Sequence, residues 1–348
     1  MLELDGSGGG GQLVRTALAC SALTGEAFRM TDVRGARPNP GLRPQHLAAV
    51  RAVAAICDAE VTGAEEGSEE FEFDPGPVSG GEHEVAVGTA GSVPLVFDAV
   101  LPVAYALDAP LSIRATGGTD VKWAPTADHQ RTVKLPLVRR AGLEAETSVE
   151  RRGFYPAGGG RASLSLSPSD PRALELTERG PLRSVAVASV ASRSLADREV
   201  AERQAEAAVE ALESEDTLDP GVPVESTVEY AESTSPGSAV LLRVEYEGSL
   251  AGFDALGERG RPAEEVGETP VEAFGEFHAG DTGAAVDAHT ADQLVLPLAV
   301  AGGTAVIPRV TDHVATNVDL LEAFGADVRI EEADGPPRIV SEGGFDLY

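Results

Sequence analysis

The sequence predicts an α/β protein of three repeated α/β units, each a small sheet with two helices, and a smaller α/β domain inserted before the third unit. Three observations carry this prediction. One order of elements recurs three times along the 348 residues: an apolar helix, a short strand, a polar loop, a second helix, then a small-residue turn leading to two strands. The turns begin at Cys57, Ala141 and Phe324, so the second interval is about 99 residues longer than the first, enough for one additional domain. The stretch inside that longer interval has a pattern of its own, with alternating strands around an acidic amphipathic helix.

Taken in order, a strand at 2–4 leads through DGSGGGGQ into a helix over 12–23, followed by a strand at 28–33 and a helix over 45–56; CDAEVTG and EEFEFDPG close the first unit. The second unit has a helix over 93–107, a strand at 111–115 and a helix over 127–140, and closes with AGLEAETSV and GFYPAGGG. The third has a helix over 291–300, a strand at 305–308 and a helix over 317–323, closing with FGADVRIEE and PPRIVSEGG. Between them SVAVASVA alternates as a strand, 195–212 reads as the amphipathic helix, VESTVEY and AVLLRVEY read as strands, and 261–274 reads as a helix, a β-α-β-β-α unit. The expected boundaries are 1–181 for the first two units, 182–277 for the insert and 278–348 for the third unit.

Composition narrows the setting. The chain holds 57 Asp and Glu against 27 Lys and Arg, a net charge of −30, with Lys122 and Lys134 its two lysines. A core-competent chain of this kind suits a salt-filled cytoplasm, where carboxylates hold water and counterions while screening relieves their repulsion. The source is therefore expected to be a halophile. The acids are dispersed and form no interaction tail, and the charge speaks against nonspecific coating of DNA, although a local arginine cluster can still hold a nucleic-acid end. Cys20 and Cys57 sit among Ala, Leu and Ile as small buried hydrophobes, neither a disulfide framework nor a zinc site. No basic segment followed by an apolar one opens the chain, and the most apolar window, 93–107, is interrupted by Pro94, Asp98 and Pro102. No signal peptide and no membrane association are expected, and the protein is expected in the cytoplasm.

The repeat aligns three polar loops that follow the central strands, holding GARPNPGLRPQH, GGTDVKWAPTADH and VTDHVATN, and α/β proteins commonly place ligands at such strand ends. The glycine run at 5–12 reads either as a cradle for phosphate oxygens at a helix N-terminus or as a tight turn. Arg34, Arg37 and Arg43, with Gln45 and His46, read either as an anion site or as partners of the abundant carboxylates. His313 stands just before a helix, where the helix dipole disfavours the imidazolium; it reads as nucleophile or base, or as a capping or packing residue. There is no Ser-His-Asp order, no HExxH and no paired CxxC.

In both order and wording, LDGSGGGGQLVR, ARPNPGLRPQHL, VGTAGS, GGTDVKWAPTAD, RRGFYPAGGG, HTADQLVLPLAVA and TDHVATN resemble the RNA 3′-terminal phosphate cyclase family along nearly the whole chain. The resemblance implies a ligase that uses ATP, with Mg²⁺ or Mn²⁺, to convert an RNA 3′-terminal phosphate into a 2′,3′-cyclic phosphate through a histidine–AMP intermediate and an adenylylated RNA end. It implies that His313 is the adenylylated nucleophile. It places the nucleotide against Gly9, Gly10, Gln12, Asp98, His289, Thr290, Ala291, Asp292 and Gln293, and the RNA end against Arg15, Arg34, Arg37, Arg43, Gln45 and His46. No obligate protein partner is implied, and no metal ligands are assigned. Two departures stand out: the glycine loop is shorter than the family's and lacks its Glu, and Asp98 replaces a Gln. The rival readings are a non-catalytic branch of the same fold that serves ribosomal RNA maturation, which lacks the histidine, and an enolpyruvyl-transferase-like enzyme, which leaves PGLRPQH, GFYPAGGG and TDHVATN unexplained.

Overall fold

In the computed structural model, which describes residues 1–348 apart from 89, 215–217, 219–220, 281–282, 333–334 and 346, the chain begins with the β-α-β-α-β-β order of the repeat. β1 (Leu2–Asp5) runs into α1 (Gly11–Thr24), and β2 (Phe28–Thr31) into α2 (Pro44–Cys57), before β3 (Glu60–Thr62) and β4 (Phe71–Asp74) close the unit. β1 and β2 are parallel, as a helical crossover requires, and the sheet order is β1-β2-β4-β3. Phe28, Phe71 and Phe73 meet on its covered face, fully buried.

The second unit repeats this order with β5 (Gly81–Ala86), α3 (Val93–Val100), β6 (Leu111–Gly117), α4 (Ala127–His129), α5 (Leu135–Arg140), β7 (Ala145–Arg151) and β8 (Gly160–Leu166), in sheet order β5-β6-β8-β7. Two prolines reshape its predicted helices. Pro102 lacks the N–H that would continue α3, so the chain tightens into a 3-10 turn over Leu101–Ala106. Pro136 likewise interrupts the ladder, and Gln130–Lys134 widens into a π-helical turn between α4 and α5.

The third sheet begins with β9 (Leu174–Leu176), whose parallel partner comes more than 120 residues later, because the insert lies between them. The insert comprises β10 (Leu182–Ser192), α6 (Val200–Ser214), β11 (Val224–Ala231), β12 (Ser238–Tyr246), β13 (Leu250–Leu256) and α7 (Ala263–Ala279), in sheet order β11-β10-β12-β13. It therefore holds one strand more than the β-α-β-β-α pattern predicted. β13 follows β12 through a tight turn closed by Tyr246 N–H to Ser249 O at 2.9 Å. Its Leu250, Ala251 and Gly252 are buried in succession, so the sequence shows no alternation there. Val185, Val187, Val240, Leu242, Val244 and Phe274 form this domain's own core.

Beyond the insert come α8 (Ala288–Ala301), β14 (Gly303–Val306), α9 (Asp312–Ala323), β15 (Val328–Glu331) and β16 (Arg338–Ser341), and the sheet order β15-β16-β14-β9 reproduces that of the other two units. α9 starts five residues before the predicted 317. Thr311 is its N-cap, with its Oγ accepting the Val314 N–H at 3.0 Å, a signal hidden in TDHV. Leu18, Leu23, Ile56, Phe97, Leu298 and Leu321 belong to one core shared by the three units. Cys20 and Cys57 are buried free thiols in it, and burial raises the pKa of both. Among the described residues no helix is long and apolar enough to cross a membrane.

Candidate functional site

A cleft of about 750 Å³ opens where all three units and the insert meet. Residues near the N-termini of α1, α8 and α9 line it, among them Gln12, His289, Asp292 and His313, so the partial positive charge of three helix N-termini gathers around one space. In a chain of net charge −30 this space favours an anion.

His313 is the second residue of α9. Val314 beside it is fully buried, which fixes the helix against the core and leaves the imidazole about half exposed on the cleft side. Its Nδ1 lies 3.5 Å from Asp292 Oδ2. The other oxygen of Asp292 accepts a hydrogen bond from the Thr311 hydroxyl, the group that caps α9. One carboxylate thus ties the nucleophile candidate to the start of its own helix. A proton on Nδ1 would face the carboxylate and leave the lone pair on Nε2. Asn317 lies one turn into the helix and is buried. Its Oδ1 accepts from Thr16 Oγ1 at 2.9 Å and joins α9 to α1.

The glycine and arginine loops touch. A Cβ on Gly11 would lie 2.2 Å from His46 Nε2 and 3.2 Å from an Arg15 guanidinium nitrogen, and one on Gly10 would lie 3.3 Å from Arg37. Backbone can approach these side chains only because no Cβ is present. Gly9 and Gly10 are buried, and the Gly10 N–H donates to Gln12 Oε1 at 3.0 Å. His46 Nδ1 accepts the Arg43 N–H at 3.0 Å. Burial, with Arg15, Arg34 and Arg43 nearby, lowers its pKa to about 3, so this imidazole is neutral. Gln45 is half-buried beside it. Arg34 stays near this group but braces its own loop, donating to Asn39 O at 2.8 Å and Gly41 O at 2.9 Å. Among the described residues none of Arg15, Arg34, Arg37 and Arg43 makes an ion pair, although carboxylates outnumber cations about two to one along the chain. Internal pairing, the alternative reading of this cluster, does not account for it.

On the facing wall Asp98 accepts from Lys134 Nζ at 2.6 Å and Gln130 Nε2 at 2.9 Å. Lys134 is buried and is a site residue that no motif marks; its rarity, as one of two lysines, is the available signal. It neutralises the charge that Asp brings to a position where a Gln was expected. Arg15 feels Asp98 from beyond ion-pair distance, while its burial lowers its pKa. Along α8, His289, Asp292 and Gln293 line the cleft, whereas Ala291 is buried in the core and Thr290 is consumed by the helix cap, its Oγ1 donating to Asp287 at 2.6 Å. Three side chains of the cleft wall, two half-buried and one buried, hold buried polar atoms with no partner among the described residues: Gln12 Nε2, Gln293 Oε1 and both ring nitrogens of His129. Such groups are costly to bury unless a ligand or a water supplies the missing partners.

A family model described as RNA 3′-terminal phosphate cyclase matches residues 7–330. Proteins named RNA 3′-terminal phosphate cyclase are similar to this chain along its length: one from Halobacterium salinarum is 52% identical, covering 98% of this chain and 100% of that protein. One from Methanopyrus kandleri is 43% identical over 98% of each, and one from Pyrococcus furiosus 41% identical over 93% of each. Among solved structures an EPSP synthase from Acinetobacter baumannii aligns with a TM-score of 0.33 and 13% identity, covering 98% of this chain and 65% of that chain, a likeness that bears on neither fold nor function. Matched almost from end to end, the chain belongs to the RNA 3′-terminal phosphate cyclase family of enzymes.

Proposed function

We propose that the protein converts an RNA 3′-terminal phosphate to a 2′,3′-cyclic phosphate at the expense of ATP, with His313 as nucleophile. The observation that supports this most is the imidazole beside Asp292, at a cleft walled by helix N-termini and by Arg15, which has no ion pair among the described residues. In the first step Nε2 attacks the α-phosphorus of ATP, pyrophosphate leaves, and the Nδ1–H stays against the Asp292 carboxylate, which offsets the positive charge on the ring. An oxygen of the RNA 3′-phosphate then displaces the histidine from the AMP phosphorus, giving an adenylylated end. The neighbouring 2′-hydroxyl attacks the RNA phosphorus and releases AMP. The sequence of steps is needed because a phosphate monoester has no good leaving group, whereas AMP departs readily and the 2′-hydroxyl is already held beside it.

Arg15, Arg37 and Arg43 are the cations available for the triphosphate and the RNA phosphate. Gln12, Gln293 and His129 supply the unpartnered polar atoms that meet the nucleotide. The side chains present do not by themselves form a metal site: among the described residues no three His, Cys, Asp or Glu converge, and Asp98 is already held by Lys134 and Gln130. Mg²⁺ or Mn²⁺ belongs in this reading as the ion that accompanies the triphosphate and neutralises its charge. The test is a 3′-phosphorylated RNA incubated with ATP and Mg²⁺ or Mn²⁺. The expected product is an end resistant to phosphatase, with one AMP released per end; an end that remains fully phosphatase-sensitive overturns the reading.

A further inference from the structure

Trp123 is the single tryptophan of the chain and is 96% exposed, yet it belongs to the wall of the cleft. It therefore stands at the rim. A ring of this size contributes nothing to folding when left in water. Its backbone is also unusual, with φ of +60°, a conformation that bulky side chains rarely adopt and that persists only where neighbours enforce it.

The insert and the root of the loop supply those neighbours. Just before Trp123, Lys122 Nζ pairs with Glu258 Oε1 at 3.0 Å, and just after it the Thr126 N–H donates to Asp254 Oδ2 at 3.0 Å, so both sides of the loop are fastened to the insert. At its root, Asp120 is buried and accepts from Thr119 Oγ1 at 2.7 Å and the Ala127 N–H at 3.3 Å, with Arg152 at 3.4 Å. A loop fastened at its root and to the insert holds one aromatic ring out at the mouth of the cleft.

We infer that Trp123 is the stacking platform for a nucleobase near the 3′ end of the RNA. This rests on the cyclase reading, which brings an RNA end to His313 while the rest of the strand leaves through the mouth. Every base has a face that can stack on an indole, so the platform accepts RNA ends of any sequence. ATP suits the ring less well, since it does not extend outward through the mouth as a strand does. Stacking also suits a chain of charge −30, since attraction to phosphates fades as salt rises whereas contact with an uncharged ring does not.

The lone tryptophan gives the test its own readout. A short 3′-phosphorylated RNA should quench its fluorescence, and the same ribose-phosphate chain without bases should not. Trp123→Ala should raise KM for RNA roughly 5- to 150-fold, the range of a lost base–aromatic stack, with kcat at saturating RNA close to wild type and Trp123→Phe recovering most of the loss. Equal quenching by the abasic chain, quenching by ATP alone, or loss of AMP transfer to His313 in Trp123→Ala would each overturn the inference. Quenching by RNA in a protein that forms no cyclic ends would count against the cyclase reading and leave the platform standing.

Discussion

At the scale of single residues the site depends on Asp292, which reaches both the imidazole of His313 and the hydroxyl that caps its helix. Asp292→Asn separates the two roles. The amide oxygen still accepts from Thr311, so the thermal midpoint should hardly move. The charge that supports the imidazole cation is lost, and AMP transfer to His313 in a single turnover should slow by an amount corresponding to about 1.5–3 kcal/mol, roughly 10- to 150-fold. Wild-type rates in this variant would reduce Asp292 to a helix brace. Much of this residue set was legible from motifs: HTADQ and TDHVATN mark both partners. What the sequence could not show was their meeting, because Asp292 and His313 stand on separate helices whose packing decides the distance. The same holds for Asp98 with Lys134 inside the second unit and for Thr16 with Asn317 across two units, pairs that become visible only when the helices are packed. Arg34 marks the opposite limit, since its place in the arginine cluster gave no sign that two carbonyls of its own loop would take up its guanidinium.

At the scale of elements, the repeat was legible because its strongest signals are local. The apolar helices and the small-residue turns at Cys57, Ala141 and Phe324 recur without reference to the rest of the fold. Three departures have physical reasons. β9 is three residues long and pairs with a strand on the far side of the insert, so nothing near it in sequence announces a strand. β13 is covered on both faces at its start, which erases the alternation that identifies a strand with one wet face. α9 begins at Asp312 because Thr311 caps it, whereas the apolar run that signals a helix starts later. The last displacement matters for the chemistry. It moves His313 from a loop into a first helical turn, where its position is fixed by the burial of Val314.

At the scale of the whole molecule, two kinds of arginine are separated in space. Arg29, Arg183, Arg203 and Arg329 pair with glutamates at the surface, while those around the glycine loop have no carboxylate partner among the described residues. Salt acts on both populations. Screening relieves repulsion among the dispersed acids and should raise the thermal midpoint, whereas contacts of the site with RNA phosphates weaken. An enzyme that holds only an RNA end engages few phosphates, so the stability gain should prevail and the activity optimum should fall in molar KCl. A KCl series of activity and midpoint that declines steadily from dilute buffer would contradict this. The claim on which the remainder depends is covalent chemistry at one histidine, and it is tested most directly by incubating the protein with α-labelled ATP and a divalent metal in molar KCl and resolving it under denaturing conditions. The wild-type chain should carry an acid-labile AMP label and His313→Ala, folded to the same midpoint, should carry none; equal labelling of the two proteins would contradict the assignment.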